Sequence, residues 1–475
     1  MRNRIDTEGG PVLGVIEADV QRFSGMPFAR VARRFAPPSP AAWDDPFDAS
    51  VWGPAPWQPL PAYEELGAEL AEDCLNANIW APMGAEDLPV IVWVYGGGWE
   101  QGSNASPSAA GDILAGTGRV VVVSLNYRVT ALGWGQFAHH GGGLGAATNL
   151  GLQDIVVGLE WVHRNIARFG GDPARVTVLG ESAGGFSLSA LLGSRRGRRT
   201  FRRLAAFSGA ASRIVPLSAA ARLGDDIIEA LGHDPLTCTP ESLIEAQRRV
   251  TPTDIGIRNG ATPRSLGVVD DSRSECGMLD AHPLTAITAG ATRDIDLWFG
   301  STRDEAALFA LHAPDAYVGI TRTQLIDQVR SWTDGQADPT RLVNGYERSD
   351  EDGSPRERLI TDWVYRLPAA RGAMAQAASG GRAFLSVVGR ADGEPAGHAV
   401  DVPALFGRVP DDGGPEARLR QAEVTAAVLR FAETGDPGWD AVDTSPLSQT
   451  LGPDPWDSTA SHERVLSDWH EFSRP

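Results

Sequence analysis

The chain has 475 residues, and its hydrophobic content of 42% and charged content of 22% are close to those of globular proteins. Its formal net charge of -19 argues against nucleic acid and anionic membranes as partners, because both require a basic surface. No apolar run of about 18 residues predicts a transmembrane helix. The N-terminal residues lack the apolar segment of a signal peptide, so we expect a cytoplasmic protein.

Three cysteines occur, and they are Cys74, Cys238 and Cys276. This small, odd number predicts neither a disulfide framework nor a zinc cluster, so we interpret the cysteines as buried thiols. The sequence shows no pattern of closely spaced metal ligands, and we expect no bound metal.

Continuous apolar runs predict the strands of a sheet that is covered on both faces. In chain order these runs are residues 90–94, 120–123, 176–179, 204–207, 295–299 and 383–388. Residues 152–169 carry apolar side chains at helical spacing, and helical patterns also separate several of the other strands. This alternation predicts an α/β fold with a central, mostly parallel sheet flanked by helices.

Two long intervals, at about 216–268 and 306–380, are rich in helix-forming residues. We interpret them as helical excursions from the sheet. The tail after about residue 435 contains many Asp, Pro, Ser and Thr residues and is predicted to be irregular. Because α/β architectures often exceed the usual domain size, we expect residues 1–475 to form a single domain.

A G-E-S-A-G sequence at residues 180–184 marks Ser182 as a candidate nucleophile. It follows a predicted strand and precedes a helical pattern, which is the context that a nucleophile elbow requires. Small neighbours permit the sharp, strained turn that exposes such a serine at the end of a sheet. The alternative is an ordinary glycine-rich turn in a chain with 54 glycines, but the flanking strand and helix favour a catalytic serine.

Three consecutive glycines, Gly96, Gly97 and Gly98, follow another predicted strand. Such a run lets backbone N–H groups approach a developing oxyanion without side chains in between. We predict an oxyanion hole formed by the N–H groups of Gly97, Gly98 and Ala183, the residue after the candidate nucleophile. A second glycine cluster, at residues 141–143, does not end a predicted strand and is interpreted as a flexible loop.

The general base has to be a histidine that follows the serine and the acid in the chain. Of the nine histidines, those late in the sequence are His312, His398, His462 and His470. His398 lies in a loop soon after the strand at 383–388, a position that suits a catalytic role. His312 falls in a helical stretch directly after the candidate acids, and the other two lie in the polar tail.

Two adjacent carboxylates, Asp304 and Glu305, follow the predicted strand at 295–299. Either could orient the imidazole and stabilise its cation. Carboxylates in this position could instead favour the N-terminus of the next helix. The residues alone leave the choice of the acid open.

Motifs along nearly the whole chain resemble the type B carboxylesterase family, which includes the cholinesterases. The matching segments are F-S-G-M-P-F-A at residues 23–29, E-D-C-L-N-A-N-I-W at 72–80, Y-G-G-G-W at 95–99, N-Y-R-V at 126–129, N-L-G-L-Q-D at 149–154 and W-V-H-R-N-I-A-R-F-G-G-D-P at 161–173. The last of them runs on into G-E-S-A-G-G at 180–185. Together these segments are highly specific.

The resemblance implies an α/β-hydrolase fold, ester hydrolysis without a cofactor, and a small-molecule ester as the binding partner. It makes Glu305 the acid and His398 the base, and it makes Ser208 a buried serine that supports the site. Asp304 is then expected to cap the next helix or to order the loop.

The sequence departs from the family pattern at three places. Ala306 and Ala399 stand where the family has glycine, after the acid and after the histidine. Cys74 usually pairs with an upstream cysteine, which this chain does not contain. The missing disulfide agrees with a reducing cytoplasm.

The leading interpretation is a serine carboxylic ester hydrolase. A non-catalytic, cholinesterase-like binding protein is the alternative from another class, but such relatives lack the serine, whereas Ser182, Glu305 and His398 are all present here. A specialised hydrolase of carbamates, polyesters or toxin esters would use the same machinery. Fold alone does not determine the substrate, and the oligomeric state is left open.

Overall fold

A computed structural model describes residues 2–59, 66, 69–260, 263–275, 277–349, 351–410 and 412–472 of the chain. Its largest element is a 12-stranded sheet. In chain order the strands are β1 (Arg2–Thr7), β2 (Gly10–Glu17), β3 (Val20–Pro27), β4 (Phe47–Asp48), β5 (Asn76–Pro82), β6 (Leu88–Val94), β7 (Val121–Leu125), β8 (Gly171–Glu181), β9 (Arg203–Phe207), β10 (Asp296–Thr302), β11 (Ala383–Val388) and β12 (Ser448–Leu451).

The sheet is antiparallel at one side and parallel over the rest. Its order is β1-β2-β3-β5-β7-β6-β8-β9-β10-β11-β12, and β4 pairs with β2. Every ladder from β7 to β12 is parallel, whereas the ladders that join β1, β2, β3, β5 and β7 are antiparallel. The predicted central, mostly parallel sheet is therefore confirmed, and the N-terminal antiparallel strands extend it.

Helices follow the strands as the sequence pattern indicates. Those of eight or more residues are α1 (Leu150–Asn165), α2 (Ala183–Ala190), α3 (Leu217–Leu231), α4 (Pro240–Val250), α5 (Arg322–Trp332), α6 (Pro339–Arg348), α7 (Leu367–Ala378), α8 (Pro415–Thr434) and α9 (Ser458–Asp468). Helix α1 covers most of the predicted helix at 152–169, and a 3-10 turn, Ile166–Phe169, completes it.

Both predicted excursions are helical. The first carries α3 and α4, and a short parallel ladder between Val215–Pro216 and Val269–Asp270 joins its two ends. The second carries α5, α6 and α7, with shorter helices between them. The excursions leave the sheet after β9 and after β10, on the carboxyl side of those strands.

The C-terminal tail differs from the expectation. Residues after 435 were predicted to be irregular, but β12 pairs with β11 at the edge of the sheet and α9 packs beside it. A four-residue edge strand and a mostly polar helix show too weak an apolar pattern to be recognised. Among the described residues, no helix combines the length and the apolar character needed to cross a membrane.

The register of the parallel strands brings several loops to one edge of the sheet. Val94 pairs with Gly180, Glu181 with Phe207, and Phe207 with Gly300. The carboxyl ends of β6, β8, β9 and β10 therefore lie side by side. Ligands of open α/β sheets bind outside this edge.

Candidate active site

The turn from β8 into α2 holds Ser182 in a strained conformation. Its backbone has φ 50° and ψ -123°, a region that non-glycine residues rarely adopt. A Cβ on Gly184 would lie 2.0 Å from the carbonyl oxygen of Val94, and one on Gly180 would lie 2.8 Å from the carbonyl carbon of Gly184. Gly184 is thus required by the close contact between the turn and β6, and Gly180 by the close approach of the end of β8 to the start of α2.

His398 reaches this serine from the loop after β11. Its Nε2 lies 2.8 Å from Ser182 Oγ, and its side chain is only 8% exposed. The backbone N–H of His398 donates to the carbonyl of Glu305 at 3.2 Å, which joins the histidine loop to the loop after β10. Ala399 has φ 64°, so the alanine at this family glycine position is accommodated in the left-handed region.

Glu305 lies on the far side of the imidazole and is fully buried. Its Oε2 is 2.6 Å from His398 Nδ1. Its Oε1 accepts hydrogen bonds from Ser208 Oγ at 2.6 Å and from the Thr302 backbone N–H at 2.9 Å. These contacts fix the carboxylate in one orientation toward the histidine, and they give Ser208 the supporting position that the resemblance implies.

Asp304 points elsewhere. Its carboxylate pairs with the guanidinium of Arg390 through two hydrogen bonds of 2.7 Å and accepts the Ala396 backbone N–H at 3.0 Å. The following short helix, Ala307–His312, has Ala306 as its N-cap. The capping interpretation of Asp304 is therefore wrong, and its contacts are those of the loop-ordering alternative.

Two further carboxylates surround the imidazole, and the sequence analysis assigned neither of them a role. Glu181 Oε1 lies 3.3 Å from His398 Nε2. Asp401 is fully buried, and burial, followed by the nearby Glu305, raises the pKa of Asp401 to about 7. Glu181 adjoins the nucleophile in the G-E-S-A-G motif, and Asp401 is three residues after the histidine. Closeness in the sequence to Ser182 and to His398 is the signal that could have identified them.

These carboxylates change the electrostatics of His398. Burial alone would lower the pKa of the imidazole, but the negative charges of Glu181 and Glu305 and the hydrogen bond to Glu305 outweigh burial. Together they raise the pKa of His398 to about 9. An unperturbed histidine titrates near about 6.5. The site therefore stabilises the imidazolium strongly.

The loop after β6 contains the predicted oxyanion glycines. Gly97 and Gly98 have φ 96° and 66°, and a Cβ on Gly97 would lie 2.2 Å from the carbonyl oxygen of Gln101. Trp99 follows them and donates its indole N–H to Ser187 Oγ of α2 at 2.9 Å. This bond ties the glycine loop to the helix that begins with Ala183.

Two aromatic side chains pack against the imidazole of His398. The rings of Phe309 and Tyr365 are centred 5.2 Å and 5.0 Å from that of His398 and 6.5 Å from each other. Phe309 belongs to the helix Ala307–His312, and Tyr365 belongs to a π-helical turn, Thr361–Arg366. The second helical excursion thus supplies apolar surface to the site. Sequence analysis missed both residues because nothing in a helical pattern indicates which side chain will meet the histidine.

The other candidate histidines lie away from this group. His462 is buried in α9, where its Nδ1 lies 2.7 Å from the Ser458 carbonyl oxygen and burial lowers its pKa to about 4. His312 and His470 are exposed, and each has its Nδ1 close to a backbone carbonyl oxygen. Of the four candidates, the structure brings His398 alone to Ser182.

The sequence and the fold are similar to those of known esterases. A model of the carboxylesterase family matches residues 2–467. The para-nitrobenzyl esterase of Bacillus subtilis (strain 168) is 32% identical over 92% of this chain and 91% of that protein. Phenmedipham hydrolase of Pseudarthrobacter oxydans is 30% identical over 94% and 93%. A solved carboxylesterase of Geobacillus stearothermophilus superposes with a TM-score of 0.85 at 29% identity, covering 98% of this chain and 100% of that one. The chain therefore belongs to the carboxylesterase family and is a serine carboxylesterase with the α/β-hydrolase fold.

Proposed function

We propose that the chain hydrolyses small-molecule carboxylic esters through an acyl-enzyme intermediate on Ser182, with His398 as the general base and Glu305 as the acid that supports it. The observation that carries this proposal is the continuous line of short contacts. It runs from Ser182 Oγ to His398 Nε2 at 2.8 Å and from His398 Nδ1 to Glu305 Oε2 at 2.6 Å. Nucleophile, base and orienting group are the parts that acyl transfer requires.

In the first half-reaction Ser182 Oγ attacks the ester carbonyl carbon while its proton moves to His398 Nε2. Glu305 stabilises the imidazolium that forms. The backbone N–H groups of Gly97, Gly98 and Ala183 donate to the oxyanion. His398 then protonates the leaving alcohol, and the acyl group remains on the serine.

In the second half-reaction a water molecule takes the place of the alcohol. His398 accepts a proton from the water as the water oxygen attacks the acyl carbon. The serine oxygen then leaves, and it takes that proton from His398. The cycle needs neither a metal nor an organic cofactor. Ser182, His398 and Glu305 are all present and joined by hydrogen bonds, which argues against the alternative of a non-catalytic binding protein.

The proposed compartment is the cytoplasm. Cys74 and Cys238 are buried free thiols, which supports a reducing environment. Cys276 lies outside the described residues, so the buried-thiol interpretation covers the other two cysteines alone.

A graded panel of p-nitrophenyl esters tests the proposed function. We expect turnover to be greatest for neutral esters of short to medium acyl chains, because Phe309 and Tyr365 present apolar surface beside the catalytic histidine. The strong negative charge of the chain should also disfavour anionic esters. Release of p-nitrophenolate gives kcat/KM for each ester. A folded protein that hydrolyses no ester in the panel would contradict the proposed activity, and a preference for anionic esters would contradict the proposed substrate class.

The acid limb of the pH profile is expected well above the value for free histidine. The base must be neutral to accept a proton, and Glu181 and Glu305 raise the pKa of His398 to about 9. Activity should therefore fall as the pH drops through about that value rather than through about 6.5. The measurement is kcat/KM for a non-ionisable ester against pH, since that ratio reports the free enzyme.

Glu181→Gln is the informative variant for this profile. It removes the charge of Glu181, the largest of the carboxylate charges that raise the pKa of His398, so the midpoint should move to lower pH while the shape of the profile is kept. Glu394→Gln is the matched control, because Glu394 is an exposed residue of the same loop as His398 and should leave the midpoint in place. A wild-type midpoint at or below about 6.5 would show that the carboxylates do not control the base.

A further inference from the structure

Two histidines and an aspartate meet on the surface at a place that shares no residue with the proposed active site. His139 and His140 end a 3-10 turn, Ala138–His140, and Asp225 lies in α3. The Nε2 atoms of the two histidines are 2.7 Å and 3.0 Å from the same oxygen, Asp225 Oδ1. The two imidazole rings are centred 4.2 Å apart. Three side chains from two distant parts of the sequence therefore converge on one point.

Close packing of the backbone holds the two segments together. A Cβ on Gly224, the residue before Asp225, would lie 2.2 Å from the carbonyl oxygen of Gln136. It would also lie 3.3 Å from the ring of Phe137, which is fully buried. Helix α3 thus contacts the chain just before the histidine turn through a glycine that allows no side chain. The backbone positions of the two segments are therefore set by the core beneath them, so that binding a ligand has only the three exposed side chains to order.

Against the expectation from the sequence that no metal is bound, we propose that His139, His140 and Asp225 bind a divalent transition-metal ion of the zinc class. Two imidazoles and one carboxylate suit Zn²⁺, Ni²⁺ or Cu²⁺, whereas Mg²⁺ and Ca²⁺ prefer oxygen ligands alone. One ligand atom from each residue lies within 4.8 Å of the others. Zinc bonds to nitrogen and carboxylate oxygen are about 2.0–2.2 Å, so small side-chain rotations would open the present hydrogen bonds enough to admit the ion. Three protein ligands leave a fourth position for water.

The charge of the cluster favours a cation. The exposed Asp225 side chain supplies the negative charge of the cluster. On binding, each imidazole gives its Nε2 lone pair to the metal, and the Nε2 proton moves through solvent to Nδ1 of the same ring. The net charge of -19 also raises the local concentration of cations around the protein.

Binding would join the histidine turn to the first helix of the excursion at 216–268. Its expected effect is on stability, because a ligand that binds only the folded chain shifts the unfolding equilibrium. At a zinc concentration about 100 times the Kd, we expect Tm to rise by about 2–3 °C in a chain of this size. Ester turnover at that concentration should be unchanged.

Calorimetric titration of the full, EDTA-dialysed chain with ZnCl₂ tests the site. We expect one equivalent of zinc to bind, and we expect His139→Gln, His140→Gln and Asp225→Asn each to weaken the affinity at least about tenfold. Asp226→Asn is the matched control: this neighbour on α3 pairs with Arg264 instead, so zinc binding should be unaffected. MgCl₂ should give no heat of binding at the same concentrations.

The variants are also compared by thermal unfolding in EDTA. Because all three side chains are exposed, each variant should unfold near the wild-type temperature without metal and should lose the rise in Tm that zinc produces. The proposal is overturned if the wild-type chain binds no stoichiometric zinc. It is equally overturned if folded His140→Gln and Asp225→Asn proteins bind zinc as tightly as the wild type. Neither result depends on ester hydrolysis.

Discussion

Replacing Ser182 with alanine is expected to lower ester turnover by on the order of 10³-fold or more while the fold is retained. The substitution removes Oγ, the atom that His398 Nε2 contacts at 2.8 Å, and leaves the hydrogen bonds of the backbone turn in place. Residual activity would come from the oxyanion donors and from substrate binding. Steady-state kinetics with a p-nitrophenyl ester measure the loss, and a melting curve checks the fold.

Covalent labelling provides the second measurement on the nucleophile. A sulfonyl fluoride should modify the wild-type chain at one serine, which peptide mass spectrometry should identify as Ser182. The Ser182→Ala chain should take up no stoichiometric label. Labelling of another serine with Ser182 unmodified, or full activity of the alanine variant, would defeat the assignment.

Glu305→Gln is expected to lower turnover by roughly 10⁴-fold. The amide has nearly the same shape, and its oxygen can still accept the hydrogen bonds that Ser208 and Thr302 donate to Glu305. What it lacks is the negative charge that stabilises the imidazolium of His398. The effect should therefore appear in kcat, with the binding of neutral esters little changed.

Asp304→Asn is the matched control for this prediction, because it makes the same chemical change one residue earlier. Asp304 bonds to Arg390 and to the Ala396 N–H rather than to the imidazole. Loss of the Asp304 charge should lower the free energy of unfolding by about 1.5–3 kcal/mol, which is typical of hydrogen bonds to charged groups. Turnover should fall by less than about tenfold. If Asp304→Asn were inactive and Glu305→Gln turned over normally, the acid would have been assigned to the wrong residue.

The parts of the site that the sequence predicted are those that occupy consecutive positions. Ser182 stands out as the candidate nucleophile because strand, G-E-S-A-G and helix follow one another, and the same local order makes the glycines after β6 candidates for the oxyanion hole. His398 was selected from four candidates by its loop after a strand. In each case the strand ends carry the residue to the same edge of the sheet, so local order was enough.

The parts that were missed depend on contacts between distant segments. Glu181 meets the imidazole at 3.3 Å only because the loop after β11 folds over the elbow. Phe309 and Tyr365 belong to helices whose apolar residues serve mainly as core, and their spacing is the same whether or not they face a site. The tail was misjudged for a related reason: β12 forms by pairing with β11, and its own four residues carry little β pattern.

The backbone of Ser182 also affects how this position can evolve. A non-glycine residue at φ 50° and ψ -123° destabilises the folded chain by about 1–3 kcal/mol, a sizeable part of a typical net stability of about 5–15 kcal/mol. Glycine adopts this conformation without steric strain, and its extra freedom in the unfolded chain offsets only about 0.5–1 kcal/mol of the gain. Selection for thermal stability and selection for turnover therefore act in opposite directions at residue 182. A lineage released from the need to hydrolyse esters would gain stability by replacing the proposed nucleophile with glycine.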